Sequence, residues 1–184
     1  MRRLLLPALA MLTLSSCGYN RIQALDEQAE SFKSQIEVQL QRRADLVPNL
    51  VNTVRGFADH ETEIFEAVTS ARAQLGGAVN GGQLAEMAVA NQGLSSALGR
   101  LIAIAEDNPE IRSDQNFRDL QVQLEGTENR ISTARQDYNS AVQAYNSYIR
   151  RFPQVLTAKM TRAQPREYFE VTDEAAREAP TVEF

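Results

Sequence analysis

Apolar residues recur along most of this chain in steps of three and four. Ile22, Leu25, Ala29, Phe32 and Ile36 open the pattern, and Leu40 continues their face. A second stripe runs Val47, Leu50, Val54, Phe57, Glu61, Ile64, Val68, Ala71 and Leu75. The third is Leu84, Met87, Asn91, Leu94, Leu98, Leu101 and Ala105. The fourth is Phe117, Leu120, Leu124, Thr127, Ile131, Ala134, Tyr138, Ala141, Tyr145, Tyr148 and Phe152. This spacing follows the 3.6-residue turn of a helix and not the two-residue period of a strand. Each stripe is narrow enough to pack against neighbours at coiled-coil-like crossing angles. The pattern predicts an all-α fold: an antiparallel four-helix bundle with long coiled-coil-like helices and a disordered acidic C-terminal tail.

Glycine and proline mark the breaks. Gly76-Gly77 and Gly81-Gly82 punctuate the second and third segments, and Asn108-Pro109 separates the third from the fourth. Ser113 suits the N-cap of the fourth helix, with Asp114 in its first turn. Pro153 ends that helix because it has no amide to donate. Pro48 allows two readings: a kink in one helix from about residue 20 to 75, or a first-turn proline in a new helix capped by Asp45. The single helix would be roughly 80 Å long against about 57 Å for the fourth segment, a mismatch that favours a break. Beyond Pro153 the periodicity is lost, and Val155, Leu156, Tyr168 and Phe169 are expected to lie across the bundle. From about Thr172 the chain is acidic and Ala-rich, a composition that suits disorder. The expected division is 1–16, 17–156 for the bundle and 157–184 for a largely irregular extension.

The first residues read as an export signal. Arg2 and Arg3 precede an uncharged, mostly apolar run from Leu4 to Ser15. As a helix that run spans about 18 Å, short of the ~30 Å hydrocarbon core. It ends in Leu14-Ser15-Ser16-Cys17-Gly18, which resembles a bacterial lipobox. Cleavage before Cys17 would make its thiol the site of acylation, and acyl chains bind membranes at about 0.8 kcal/mol per methylene. The competing reading is an unlipidated signal with an incidental cysteine. Cys17 is the one cysteine, so an intramolecular disulfide is excluded. By resemblance to Gram-negative lipoproteins, Gly18 in place of Asp favours the periplasmic face of the outer membrane if the host is Gram-negative.

Charge narrows the partners. The chain carries 19 basic and 24 acidic residues, a formal charge of −5. Loss of Arg2 and Arg3 with the signal would make it −7. This balance argues against nucleic acid and against electrostatic adhesion to anionic lipid.

Polar residues interrupt the stripes at Glu61 and Asn91, where a carboxylate or amide is costly without partners. Tyr138-Asn139-Ser140 and Tyr145-Asn146-Ser147 repeat at a spacing of seven, which returns them to nearly the same helix face. Together with Glu128 and Asn129 they form a candidate set for an internal hydrogen-bond network or a ligand site. His60 precedes Glu61, but the run lacks the second histidine of a metalloprotease motif, and a di-iron bundle needs two histidines where this chain has one. No metal and no cofactor are expected. Arg42, Arg43 and Asp45 make a dense charged cluster, read as a solvated turn or a partner surface. There is no Gly-x-Ser-x-Gly motif, no Gly-rich phosphate loop and no spare cysteine, so nucleophilic catalysis finds no support.

Several stretches, in order, carry a family resemblance: Tyr19-Asn20, Gln41 through Val51, His60-Glu61, Ala71-Arg72-Ala73, and Glu106 with Pro109. Asn116-Phe117, Leu120-Gln121, Thr127-Glu128-Asn129, Ala134-Arg135, Tyr138-Asn139, Tyr145-Asn146 and Phe152-Pro153 complete them. In these the chain resembles the LemA family of bacterial envelope proteins. The resemblance implies a helical bundle exposed on a membrane, without accepted catalytic residues. The lipobox departs from the N-terminal transmembrane helix typical of that family.

The leading expectation is a non-enzymatic envelope lipoprotein acting as a helical scaffold or adaptor. Its partners would be the membrane, through lipid on Cys17, and an envelope protein or a second copy of itself. The alternatives are a bundle that binds a ligand between Glu61, Asn91, Tyr138 and Asn139, and a metal-dependent hydrolase acting through His60 and Glu61.

Overall fold

A computed structural model describes the backbone of residues 2–56 and 62–170, and the side chains of these from Gly18 onward. Six helices and no strand occur among the described residues: α1 (Arg2–Arg55), α2 (Thr62–Gly81), α3 (Leu84–Asp107), α4 (Pro109–Ser113), α5 (Gln115–Arg150) and α6 (Gln154–Thr161). The fold is all-α, as the spacing predicts. Among the described residues no helix is long and apolar enough to cross a membrane. The tail from about Thr172, expected to be disordered, lies outside the described residues, as do His60 and Glu61.

The break expected at Pro48 is absent. Helix α1 runs 54 residues and continues through that proline. The apolar stripe explains the continuity: Leu40, Arg43, Val47, Leu50 and Val54 keep the three-four alternation, and all five are buried. A helical proline also frees the carbonyl four residues earlier, here that of Ala44. Arg72 of α2 donates its Nε–H to that carbonyl at 2.9 Å. The chain leaves the helix only after Arg55, so the second stripe is shared between α1 and α2.

Among the described residues the chain divides into two compact units, one within residues 1–36 and 131–168, the other within residues 37–130 and 169–184. The second unit contains all of α2, α3 and α4 with parts of α1 and α5. Its core draws on Leu50 and Val54 of α1, Val68 and Leu75 of α2, Met87, Leu94 and Leu101 of α3, Ile111 of α4 and Phe117 of α5, all under 2% exposed. Gly76 and Gly77 stay inside α2 and do not end it. Gly82 does, with φ of 70° and its N–H on the Ala78 carbonyl at 3.1 Å, a left-handed cap that glycine adopts without steric cost.

Between α3 and α5 the Asn108-Pro109 break holds a short helix. The Asn108 side chain accepts the Glu110 N–H at 2.9 Å, and Pro109 occupies the first turn of α4. Asp114 caps α5 by accepting the Phe117 N–H at 2.9 Å. Ser113, expected in that role, instead donates to the Glu110 carbonyl at 2.9 Å.

The first unit pairs the earlier part of α1 with the later part of α5. Ile22 and Leu25 pack with Tyr145 and Ile149, and Ala158 of α6 joins them. The boundary expected between residues 156 and 157 falls inside α6, because Ala158 is part of this core. Beyond α6 the described residues are irregular but bonded in place. Of the residues expected to lie across the bundle, Phe169 is buried, and Leu156 and Tyr168 are exposed.

Candidate functional site

Two polar clusters are built into the helices, one in each unit. In the second unit Arg43 lies on the buried face of α1, three residues after Leu40 and four before Val47, and is 6% exposed. Its Nη1 donates to Asn91 Oδ1 of α3 at 2.7 Å and also to Glu128 Oε2 of α5. Asn91 and Thr127 are buried at stripe positions of their helices, and Glu128 follows Thr127 directly. Burial pulls the Arg43 guanidinium below its ordinary range, and the charge and hydrogen bond of Glu128 oppose that pull. Arg43 stays charged, since a guanidinium is not deprotonated in proteins. The arrangement therefore ties α1, α3 and α5 together through one buried cation. The Nε–H of Arg43 and Oε1 of Gln39, one turn away on α1, are buried without a hydrogen-bond partner.

The charged cluster read from the sequence is thereby split. Arg43 turns into the core, whereas Arg42 and Asp45 are exposed. Asp45 accepts a hydrogen bond from Gln41 Nε2 at 2.9 Å. Helical periodicity is the reason: position 43 shares the stripe of Leu40 and Val47, and positions 42 and 45 do not. Of the three, Arg42 and Asp45 therefore face solvent and Arg43 does not.

In the first unit the repeated tyrosines and asparagines hold the segment after α6. The Asn146 side chain pairs both ways with the backbone of Arg166, its Nδ2 donating to the carbonyl at 2.9 Å and its Oδ1 accepting the N–H at 2.8 Å. Tyr138 donates its hydroxyl to the Glu167 carbonyl at 2.8 Å. Tyr145 is buried in the core beside them. Burial raises both tyrosines above the ordinary phenol value, against the lowering effect of the Arg166 charge. Asn139 is half-buried and Asn129 exposed, both with partners.

Arg166 itself was not singled out from the sequence. Its Nε donates to Asp26 Oδ1 at 2.7 Å and its Nη1 to Glu30 Oε2 at 2.8 Å. Those bonds hold its proton more tightly than usual. The signal for it lay in Asp26 and Glu30, two carboxylates four residues apart on one helix that call for a cation between them.

Of the four residues expected to line a ligand pocket, three lie among the described residues. Asn91 belongs to one unit and Tyr138 and Asn139 to the other, and Asn91 and Tyr138 are each bonded to protein groups. Glu61 lies outside the described residues. Two open grooves lie at other residues. One of about 410 Å³ in the first unit is lined by Arg21, Leu25, Ser140, Gln143, Ala144, Ser147, Tyr148 and Arg151. One of about 450 Å³ lies between α2 and α3, around Ala78, Ala85 and Val89. Among the described residues no group of three acidic, histidine or cysteine side chains could hold a metal ion.

The backbone at Cys17 is part of α1, but its side chain is not among those described. The next residue, Gly18, is buried, and a Cβ added to it would sit 3.5 Å from Thr157 Oγ1 of α6.

Comparison with known proteins places these features in a family. The chain is similar to two MamQ magnetosome proteins of Paramagnetospirillum magneticum, at 30% identity over 177 residues that cover 83% of this chain and 64% of each relative. It is 28% identical over 187 residues to the magnetosome protein MamQ of Magnetospirillum gryphiswaldense, covering 89% of this chain and 69% of that protein. The chain thus spans just under two thirds of the length of the first two relatives. The LemA family matches residues 32–184, a stretch that includes Arg43, Pro48, Arg72, Asn91, Tyr138 and Asn146. With these helices and that match, the chain belongs to the LemA family.

Proposed function

We propose that the protein is an envelope lipoprotein, anchored by acyl chains on Cys17, that serves as a non-enzymatic helical scaffold or adaptor for another envelope protein. The observation that carries this reading is the position of the lipobox-like run. Leu14-Ser15-Ser16-Cys17 stands immediately before Gly18, which is already buried in the first unit. A tether of that kind has no flexible linker, so the helices would be held against the headgroups. In a Gram-negative host the site of action is the periplasmic face of the outer membrane.

The polar clusters support a scaffold over a catalyst. Arg43 donates to both Asn91 and Glu128, and Tyr138, Asn146 and Arg166 bond to backbone or to α1 carboxylates. Groups occupied in this way stiffen a helical surface and leave little to act on a substrate.

Two measurements test the reading. Mass spectrometry of the N-terminal peptide of the mature protein should find Cys17 as the first residue, carrying diacylglycerol. An unmodified Cys17 in protein taken from the membrane fraction would sink the anchor. Crosslinking in intact cells followed by affinity capture should recover one reproducible envelope partner or a self-crosslinked dimer. Recovery of neither across several crosslinkers would remove the scaffold role.

A further inference from the structure

The acidic balance of the whole chain hides a local reversal. From Tyr138 to Arg166 there is no aspartate or glutamate, while Arg150, Arg151, Lys159, Arg162 and Arg166 are basic. Arg166 is engaged by Asp26 and Glu30; the other four are exposed. Arg21 of α1 lines the same groove as Arg151 and adds to the cluster.

The same stretch exposes large apolar side chains. Phe152 is 80% exposed, Leu156 56% and Met160 85%. They are four residues apart, so Leu156 and Met160 share a face of α6, with Phe152 just before the helix. The opposite side of α6 is committed to the core through Ala158. Helix α6 also lies against Gly18, next to the residue that carries the lipobox thiol.

An exposed apolar face rimmed by arginine and lysine is the composition of a helix that lies in a bilayer interface. Basic residues near an anionic leaflet are attracted to it, and the apolar residues gain by entering the boundary between headgroups and acyl chains. We propose that α6 and Phe152 form a second membrane contact, in which Phe152, Leu156 and Met160 enter the headgroup boundary and Arg150, Arg151, Lys159 and Arg162 face anionic lipid phosphates. The four exposed cations that flank these apolar residues in the sequence favour an anionic bilayer surface over an apolar protein groove. The proposal rests on the lipid anchor for where the bilayer lies, and its test separates the two.

The test uses the full mature protein in vesicles of phosphatidylethanolamine and phosphatidylglycerol. Met160→Cys and, as a control in the other unit, Val122→Cys each receive an environment-sensitive fluorophore; Val122 is 66% exposed. The label at position 160 should shift to the blue and be quenched by lipids brominated on their acyl chains, and the label at 122 should do neither. Vesicles of phosphatidylcholine alone, or Lys159→Glu with Arg162→Glu, should weaken the shift at 160. A label at 160 as water-exposed as that at 122 would overturn the contact. So would a shift seen in native membranes and absent from lipid vesicles, which would assign the face to a protein partner. The parent chain, whose one cysteine is Cys17, takes up no label if that thiol is a thioether. Labelling of the parent would count against the anchor alone, since the difference between the Met160→Cys protein and the parent still reads α6.

Discussion

Arg72 of α2 donates its Nε–H to the Ala44 carbonyl of α1 at 2.9 Å, taking the place of the amide that Pro48 lacks. The proline and the arginine compensate each other across two helices. A partly buried carbonyl without a donor costs on the order of 1–2 kcal/mol, so Arg72→Met should lower stability by about that much. In a Pro48→Ala background the helix supplies its own amide to Ala44, and Arg72→Met should then cost clearly less. A double-mutant cycle from urea unfolding measures the difference, expected at about 1 kcal/mol. Additive effects of the two substitutions would contradict the relationship.

This pair also shows where the sequence was legible and where it was not. The three-four stripes predicted helices because burial on one face leaves a period that needs no partner to be seen. Arg43 sits on that period between Leu40 and Val47, and its charge disguised a core position as a turn. Pro48 misled for a related reason. Its local cost is visible in the sequence, but the donor that offsets it comes from Arg72, which only tertiary structure brings near. Asn91, Tyr138 and Asn146 were recognisable as polar groups needing partners. Their partners were not, because two of the three bond backbone groups of Arg166 and Glu167, and a backbone acceptor has no sequence signature. The basic run before Glu167 was readable throughout but was averaged away in the net charge.

The Arg43 cluster predicts an unusual order of stabilities. Removing Glu128 leaves a guanidinium buried with Asn91 as its remaining partner. The Arg43 side chain is 7% exposed and that of Glu128 44%, so solvent screens part of the pair. The loss for Glu128→Leu should be on the order of 2 kcal/mol, below the range for a fully buried pair. Arg43→Met combined with Glu128→Leu removes the cation as well and should be more stable than Glu128→Leu alone. Thermal unfolding of the two proteins side by side checks the order. A double variant less stable than the single one would show that the cluster stabilises by attraction and not by mutual neutralisation.

Asn146 predicts a local effect. Its amide both donates to and accepts from Arg166, and Asn146→Asp keeps the acceptor while setting an anion against the Arg166 carbonyl. Loss of one hydrogen bond and the new repulsion should cost about 1–3 kcal/mol, concentrated in the segment after α6. Hydrogen exchange should quicken at the Arg166 and Tyr168 amides and stay unchanged in α3. Uniform quickening throughout the protein would show instead that the segment is not a separately held element.

Tyr138 predicts a dependence on alkaline pH. Burial raises its pKa above the ordinary 10.0, and the charge of Arg166 only partly opposes it. Below pH 10 the phenol is neutral in both folded and unfolded chains, so its contribution is complete there. As pH rises past 10 the unfolded phenol loses its proton first, the unfolded state binds fewer protons than the folded one, and stability falls. The contribution is lost as pH rises through the raised folded value, at no more than about 1.4 kcal/mol per pH unit. Tyr138→Phe should be about 1 kcal/mol less stable at neutral pH, because the Glu167 carbonyl loses its donor. The same variant should lose less stability than the parent between pH 10 and 12. Tyr145, raised chiefly by burial as well, leaves a residual slope in both proteins, so the measurement is the difference between two urea midpoints at each pH. Parallel curves would mean that Tyr138 ionises as freely in the folded chain as in the unfolded one.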